Sequence, residues 1–150
     1  MNNKWWPVSY ILLTLAGLAD TSYLAAKHFA GTEVNCSILQ GCDKVLASPY
    51  AVIGDNIPLA LLGAVYYFLL LILVLVYLQN KNKSAALLFF GLSAFGFLFS
   101  VWLTYLQFFV IRALCLYCLS SAIFTAILLA LGLYALFKLK RPFPEKKLKI

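Results

Sequence analysis

The feature that most constrains this chain is a run of 28 residues without a charge, from Ser84 to Ile111. A helix of that length, rising about 1.5 Å per residue, exceeds the roughly 30 Å hydrocarbon core of a bilayer and can cross it with some tilt. The composition agrees, because 64% of the 150 residues are apolar and 11% are charged. These values are typical of a polytopic membrane protein rather than a soluble domain.

Three further apolar runs are each long enough to cross a membrane. The first follows Lys4 and begins with Trp5 and Trp6, an arrangement typical of an interfacial anchor. It also resembles a signal peptide, but it is long for such a segment, which favours a retained helix. We expect an all-α membrane protein, a four-transmembrane-helix bundle in residues 1–137, with spans near 5–26, 57–78, 84–111 and 113–137.

The charges predict the orientation of these spans. Net charge is +7, and nine of the twelve basic residues lie at the N-terminus, in the short loop after residue 78, or in the basic tail 138–150. This positive-inside pattern predicts that both termini are cytoplasmic, and it explains the charge without nucleic acid. The tail is expected to be disordered or to lie on anionic lipid. All four cysteines then lie on or toward the outer side, where disulfides persist.

The outer loop, residues 27–56, contains Cys36 and Cys42 and no clear periodicity. Five intervening residues with a glycine allow a disulfide between them, although four cysteines permit three pairings. The stretch from Lys44 to Ile53 is apolar but too short to span. We expect it to form a short helix that caps the outer mouth of the bundle and covers Cys118.

Cys115 and Cys118 form a Cys-x-x-Cys motif at the start of the fourth span. A helix N-terminus favours thiolate over thiol, and Arg112 lies just upstream. Three residues of helical rise predict that Cys115 faces water and that Cys118 faces the bilayer. Attachment of a c-type haem is excluded, because Leu119 stands where a histidine is required.

Two thiol pairs on one side of a membrane can act as an electron relay through mixed disulfides. Cys42 is tied close to the membrane and is the expected partner of Cys115, while Cys36 is the expected contact for an external protein. From Cys118, the natural two-electron acceptor is a lipid-soluble quinone. Static disulfides and a thiolate-bound metal are the alternatives, although the Cys-x5-Cys spacing fits zinc poorly.

Two features of the spans also carry expectations. Asp20 is an acid inside the first apolar run, so it should face the bundle rather than lipid. In the third run, Gly91, Ser100 and Thr104 lie near one stripe, which predicts a close approach between helices.

Over nearly its whole length, the chain resembles the vitamin K epoxide reductase family. The resemblance lies in the four spans, the loop pair Cys36 and Cys42, Ser48 six residues later, the Ile57-Pro58 start of the second span and the Cys115-x-x-Cys118 motif. The DsbB family also has four helices and two cysteine pairs, but it carries them in the opposite order.

The resemblance implies that the protein oxidises an extracytoplasmic thioredoxin-like (DsbA-like) partner and reduces ubiquinone or menaquinone in the inner membrane of a bacterial cell. It implies that Ser48, Tyr50 and Asn56 contribute to the quinone pocket and that Cys36, Cys42, Cys115 and Cys118 are catalytic. The alternative is dithiol-driven reduction of vitamin K epoxide. Against it, Ala122 stands where the animal enzymes carry a tyrosine that hydrogen-bonds the vitamin.

Overall fold

The computed structural model describes residues 5–34, 41–54, 57–80 and 83–140. Four long helices make up most of it: α1 (Trp5–Ala30), α3 (Leu59–Asn80), α4 (Lys83–Tyr105) with its π-helical continuation Leu106–Ile111, and α5 (Leu116–Lys140). Each contains a segment long and apolar enough to cross a membrane. The expected all-α four-helix membrane bundle is confirmed.

Helix α1 extends to Ala30, four residues beyond the end expected at residue 26. Gly31 follows with a φ of +62°, which glycine adopts without steric cost. The backbone N–H of Gly31 donates to the carbonyl of His28, and that of Thr32 donates to the carbonyl of Lys27. This is a Schellman motif, which satisfies the last carbonyls and allows the polar residues Lys27 and His28 to complete the final turn.

The loop between α1 and α3 folds over the end of the bundle in short pieces. Helix α2 covers only Cys42–Leu46 and is followed by a 3₁₀ turn, Pro49–Ala51. Strands β1 (Val52–Ile53) and β2 (Ile57–Pro58) then pair antiparallel. The short helix expected over the outer mouth is present, but it spans Cys42–Leu46 rather than Lys44 to Ile53, because Pro49 has no N–H with which to continue a helix begun at Cys42.

The chain between α4 and α5 is irregular. The last turn of α4 is π-helical and ends at Arg112, a non-glycine residue with a φ of +52°. Helix α5 begins at Leu116 rather than at residue 113. The segment 112–115 therefore reverses the chain and brings Cys115 directly to the start of α5.

The four long helices form a ring in which α1 packs on α3, α3 on α4, α4 on α5 and α5 on α1. One buried cluster, which includes Tyr10, Val74, Phe89 and Leu128, fills the interior between the four long helices. A second cluster lies under α2 and contains Cys115.

Glycines set two of the closest approaches between helices. A Cβ at Gly17 would overlap the ring of Tyr67, and a Cβ at Gly96 would overlap the hydroxyl end of Tyr66. Gly91, by contrast, has nothing within 4 Å of its Cβ position. The expected stripe is therefore wrong at Gly91, and the close contact of α4 with α3 occurs at Gly96.

Candidate redox site

Cys115 is the N-terminal capping residue of α5. Its carbonyl accepts a hydrogen bond from the N–H of Leu119 over 3.0 Å. Its Sγ accepts one from the N–H of Cys118 over 3.4 Å. A sulfur at this position satisfies a free donor of the first turn and lies at the positive end of the helix dipole.

The thiol of Cys118 also donates a hydrogen bond to the sulfur of Cys115. This bond lowers the pKa of Cys115 from its ordinary value of 9.0, with backbone N–H groups of the same turn adding to the effect and burial opposing it. The thiolate is the reactive form in disulfide exchange, so this shift increases the fraction of Cys115 that is reactive at a given pH.

Cys115 does not face water, contrary to the sequence-based expectation. Its side chain is fully buried and packs with Cys42 and Val45 of α2 and with Leu24 of α1. Cys115 is buried because the outer loop lies over the motif. The backbone at Gly41 is so close to Leu114 that a Cβ on Gly41 would be 2.6 Å from the Leu114 carbonyl oxygen. This backbone contact holds the start of α2 against the residue that precedes Cys115.

Gln107 holds the cysteine segment from the side of α4. Its Oε1 accepts a hydrogen bond from the N–H of Cys115 over 3.1 Å, and its carbonyl accepts from the N–H groups of Arg112 and Ala113. The side chain is 3% exposed. The sequence did contain a signal for this role, because Gln107 is the single carboxamide in a long uncharged span. The sequence-based prediction of the site did not include it.

The described cysteines occupy two redox states. Cys42 is disulfide-bonded, whereas Cys115 and Cys118 carry free thiols. Cys36 and Asn56, both expected at the site, lie outside the described residues. Among the residues described, no group of three or more histidine, cysteine, aspartate or glutamate side chains could hold a metal ion.

A cavity of about 250 Å³ lies between the helices directly below the loop. Cys118, Ser48 and Tyr50 line it, together with Asp20, which faces the bundle as expected. The Ser48 hydroxyl donates to the carbonyl of Val45 over 2.6 Å and so braces the end of α2. The structure therefore brings Cys118, Ser48 and Tyr50 to one cavity, while Cys115 lies outside it, in the buried cluster under α2.

The cavity also reaches the outer surface of the bundle. Leu62 of α3 and Phe95 of α4 both line it and are exposed, at 46% and 64%. In a membrane, such residues on the outside of two adjacent spans contact acyl chains. The wall of the cavity therefore extends to the outer face of the bundle at α3 and α4.

A model of the vitamin K epoxide reductase family matches residues 8–133, most of the chain. The chain belongs to the vitamin K epoxide reductase family. The matched range includes all four cysteines, the residues that line the cavity, the second and third spans, and most of the first and fourth. Among curated proteins, none matches the chain significantly.

Membership of the vitamin K epoxide reductase family gives the site a general activity. Members are membrane oxidoreductases that couple thiols to quinones, and the chain is an integral membrane protein of this kind. The free thiols beside the cavity are the groups that this activity requires.

Proposed function

We propose that the protein is a thiol oxidase that passes electrons from an extracytoplasmic thioredoxin-like protein to a membrane quinone. Electrons enter at Cys36, pass through Cys42 to Cys115, and leave from Cys118. The observation that carries the proposal is that Cys118 faces the cavity while Cys115 is buried beside Cys42, which is disulfide-bonded.

The first transfer is between the two cysteine pairs. Thiol–disulfide exchange requires a thiolate to reach a disulfide sulfur. Cys115 and Cys42 belong to one buried cluster, so the thiolate of Cys42 in the reduced loop can attack Cys115 of the Cys115–Cys118 disulfide, and Cys36 then resolves the mixed disulfide. The lowered pKa of Cys115 supports its departure as a thiolate in that second step. The loop disulfide and the Cys-x-x-Cys motif can therefore exchange through a mixed disulfide between Cys42 and Cys115.

The second transfer is from the reduced motif to the quinone. The Cys115–Cys118 dithiol loses two electrons and two protons as its S–S bond forms, and the quinone takes up both to become a hydroquinone. Cys118 is the thiol on the cavity wall, so it is the one that meets the quinone ring. The quinone, ubiquinone or menaquinone, enters from the lipid between α3 and α4.

Ser48, Tyr50 and Asn56 are proposed to support the quinone pocket. Ser48 and Tyr50 line the cavity, and Ser48 is bonded to the end of α2, which supports this role. The cavity is slightly smaller than the roughly 300–1,000 Å³ of typical small-molecule pockets. Such a volume suits a quinone head group whose isoprenoid tail remains in the lipid.

The orientation is part of the same proposal. The positive-inside distribution of basic residues supports cytoplasmic termini and an extracytoplasmic loop, as in the inner membrane of a bacterial cell. The alternative direction, reduction of a quinone epoxide, gains no support at Ala122, because the cavity wall of α5 is formed instead by residues such as Ser121 and Thr125.

The experiment combines purified protein, a reduced thioredoxin-like protein and a short-chain quinone, with maleimide trapping of thiols. Cys118→Ala should abolish quinone reduction, whereas Cys36→Ala should abolish only oxidation of the thioredoxin-like protein. Equal effects of both substitutions on both half-reactions would contradict the assigned order. Loss of quinone epoxide driven by a dithiol, with quinone itself untouched, would establish the reverse activity.

A further inference from the structure

Two buried side-chain oxygens lack a hydrogen-bond partner in the part of the chain that the structure describes. They are Oδ2 of Asp20 in α1 and the hydroxyl oxygen of Tyr66 in α3. Both residues line the cavity that Cys118 faces. Buried polar groups are almost always hydrogen-bonded, and an exception requires an explanation.

Other hydroxyl groups of the cavity wall already have partners within the protein. Thr21 donates to the carbonyl of Gly17 over 2.7 Å, and Thr125 donates to the carbonyl of Ala122 over 2.9 Å. The hydroxyl of Tyr67, adjacent in sequence to Tyr66, lies 2.8 Å from Oγ of Ser121. Among the buried side-chain oxygens and nitrogens of the described residues, those of Asp20 and Tyr66 alone lack a partner, which leaves these two oxygens available to a ligand.

The fold also keeps space open for the Tyr66 hydroxyl. It lies against Gly96 of α4, where any side chain would overlap it. Tyr66 therefore contacts α4 at the α3–α4 interface, beside the exposed lining residues Leu62 and Phe95. A quinone entering there would meet this hydroxyl.

We infer that Tyr66 and Asp20 hold the two carbonyl oxygens of the quinone, and that Asp20 is the acid that protonates one of them. This inference rests on the proposed function. The hydroxyl of Tyr66 donates to one carbonyl. A quinone carbonyl and an ionised carboxylate both only accept hydrogen bonds, so they cannot pair with each other. Asp20 therefore pairs with the other quinone carbonyl when the Asp20 carboxyl group is protonated.

The proton balance of the reaction agrees with this arrangement. When the Cys115–Cys118 disulfide forms, two S–H protons are released and two electrons pass to the quinone. Asp20 gives its proton to the reduced oxygen and regains one of those released by the thiols. The second oxygen takes its proton from water at the outer mouth, where the other thiol proton leaves. After transfer, the carboxylate accepts a hydrogen bond from the new hydroquinone O–H.

The first test compares Tyr66→Phe with Tyr10→Phe. Each removes one phenol hydroxyl from the bundle, but the Tyr10 hydroxyl lies 2.9 Å from Oγ of Ser93, and Tyr10 does not line the cavity. Tyr66→Phe should weaken binding of short-chain ubiquinone about 2- to 12-fold, the equivalent of one hydrogen bond, and leave stability without quinone unchanged or higher. Tyr10→Phe should lower stability and leave quinone affinity unchanged.

The second test is Asp20→Asn, which keeps the shape and a donor but has no proton to transfer. Affinity for the quinone should change little, while the rate of single-turnover reduction should fall about 100-fold or more. Affinity is measured as the thermal stabilisation of the oxidised protein by added quinone, a readout that does not depend on turnover. A purely structural role for Asp20 would change stability and affinity together with rate.

Three outcomes would overturn the inference. If wild type binds and reduces quinone and both cavity variants match it, the inference fails while the proposed function stands. If Tyr66→Phe destabilises the protein as Tyr10→Phe does, its hydroxyl is already satisfied in the empty cavity, and the assignment is wrong. If wild type neither binds nor reduces ubiquinone or menaquinone, the proposed function fails and this inference fails with it.

Discussion

The backbone N–H of Cys118 donates a hydrogen bond to the Sγ of Cys115 over 3.4 Å. The two residues of the motif are therefore joined through a helix cap before any disulfide forms. The cap divides their roles: the sulfur of Cys115 is stabilised as a thiolate under the loop, while the thiol of Cys118 faces the cavity. Under the proposed function, one turn of helix connects the exchange reaction of the loop with the reduction of quinone.

The pH dependence of Cys115 tests this division. The pKa of Cys115 is lowered chiefly by the Cys118 thiol, so Cys118→Ala should raise it toward the ordinary value of 9.0. Because only the thiolate attacks a disulfide, the rate at which the reduced motif attacks the oxidised loop, the reverse of the proposed electron flow, should fall as the pH drops through this pKa, and the fall should begin at higher pH in the variant. Thiolate ultraviolet absorbance, titrated in a chain whose loop cysteines are replaced by serine, measures the pKa.

Cys118→Ser is the matched control for that titration. A serine hydroxyl donates a hydrogen bond to the Cys115 sulfur as the thiol does, so the pKa of Cys115 should remain lowered. An unchanged titration in Cys118→Ala would contradict the assigned cause.

Gln107 should be required for the stability of the cysteine segment. Gln107→Leu leaves the buried N–H of Cys115 without its acceptor, which costs about 1–3 kcal/mol. A fall in the melting temperature of the reduced protein, measured in detergent, is the expected result. Thr104→Val removes a hydroxyl bond to the carbonyl of Ser100 in the same helix and should have a smaller effect. Equal losses of stability in the two variants would show that the Gln107 hydrogen bond contributes no more than the Thr104 hydroxyl bond does.

Gly41→Ala should separate the loop from the Cys-x-x-Cys motif. The new Cβ would lie 2.6 Å and 2.7 Å from the backbone O and N of Leu114, and backbone atoms cannot move aside as a side chain can. We expect slower transfer between the loop disulfide and Cys115, measured by trapping of the mixed disulfide. In Gly132→Ala the Cβ is 3.4 Å from the ring of Phe89, an ordinary contact, and exchange should continue at the wild-type rate.

Gly96→Ala should lower quinone affinity through Tyr66. The added methyl group overlaps the Tyr66 hydroxyl, so the ring must turn away from its position in the cavity. Thermal stabilisation by added quinone should decrease, as in Tyr66→Phe. Gly91→Ala, in the same helix but with open space at its Cβ, should leave the stabilisation intact. Undiminished stabilisation in Gly96→Ala would argue against a quinone contact at Tyr66.

The sequence predicts the bundle well because span length and charge distribution depend on the bilayer rather than on detailed packing. It also places Cys115 and Cys118 at the start of a helix, because Arg112 marks the end of one apolar span and the motif comes directly before the next. The end of α1 at Ala30 could have been predicted from Gly31, because glycine is the usual residue after a helix C-terminus.

The buried position of Cys115 could not be predicted in this way. It depends on the backbone contact between Gly41 and Leu114, which joins segments more than seventy residues apart in the chain. The role of Gln107 depends on a π-helical turn, and the open hydroxyl of Tyr66 depends on Gly96 in the neighbouring helix. Each is a tertiary relationship that leaves no periodic signal in the sequence.

The most direct test of the central claim uses the reduced protein alone with a short-chain quinone under anaerobic conditions. Quinone absorbance is followed in a single turnover, while maleimide labelling reports the state of Cys115 and Cys118. Oxidation of the pair should accompany reduction of an equal amount of quinone, and Cys118→Ala should stop both. If the quinone is reduced at the wild-type rate without Cys118, or if the pair stays reduced with quinone bound, Cys118 is not the group that passes electrons to the quinone.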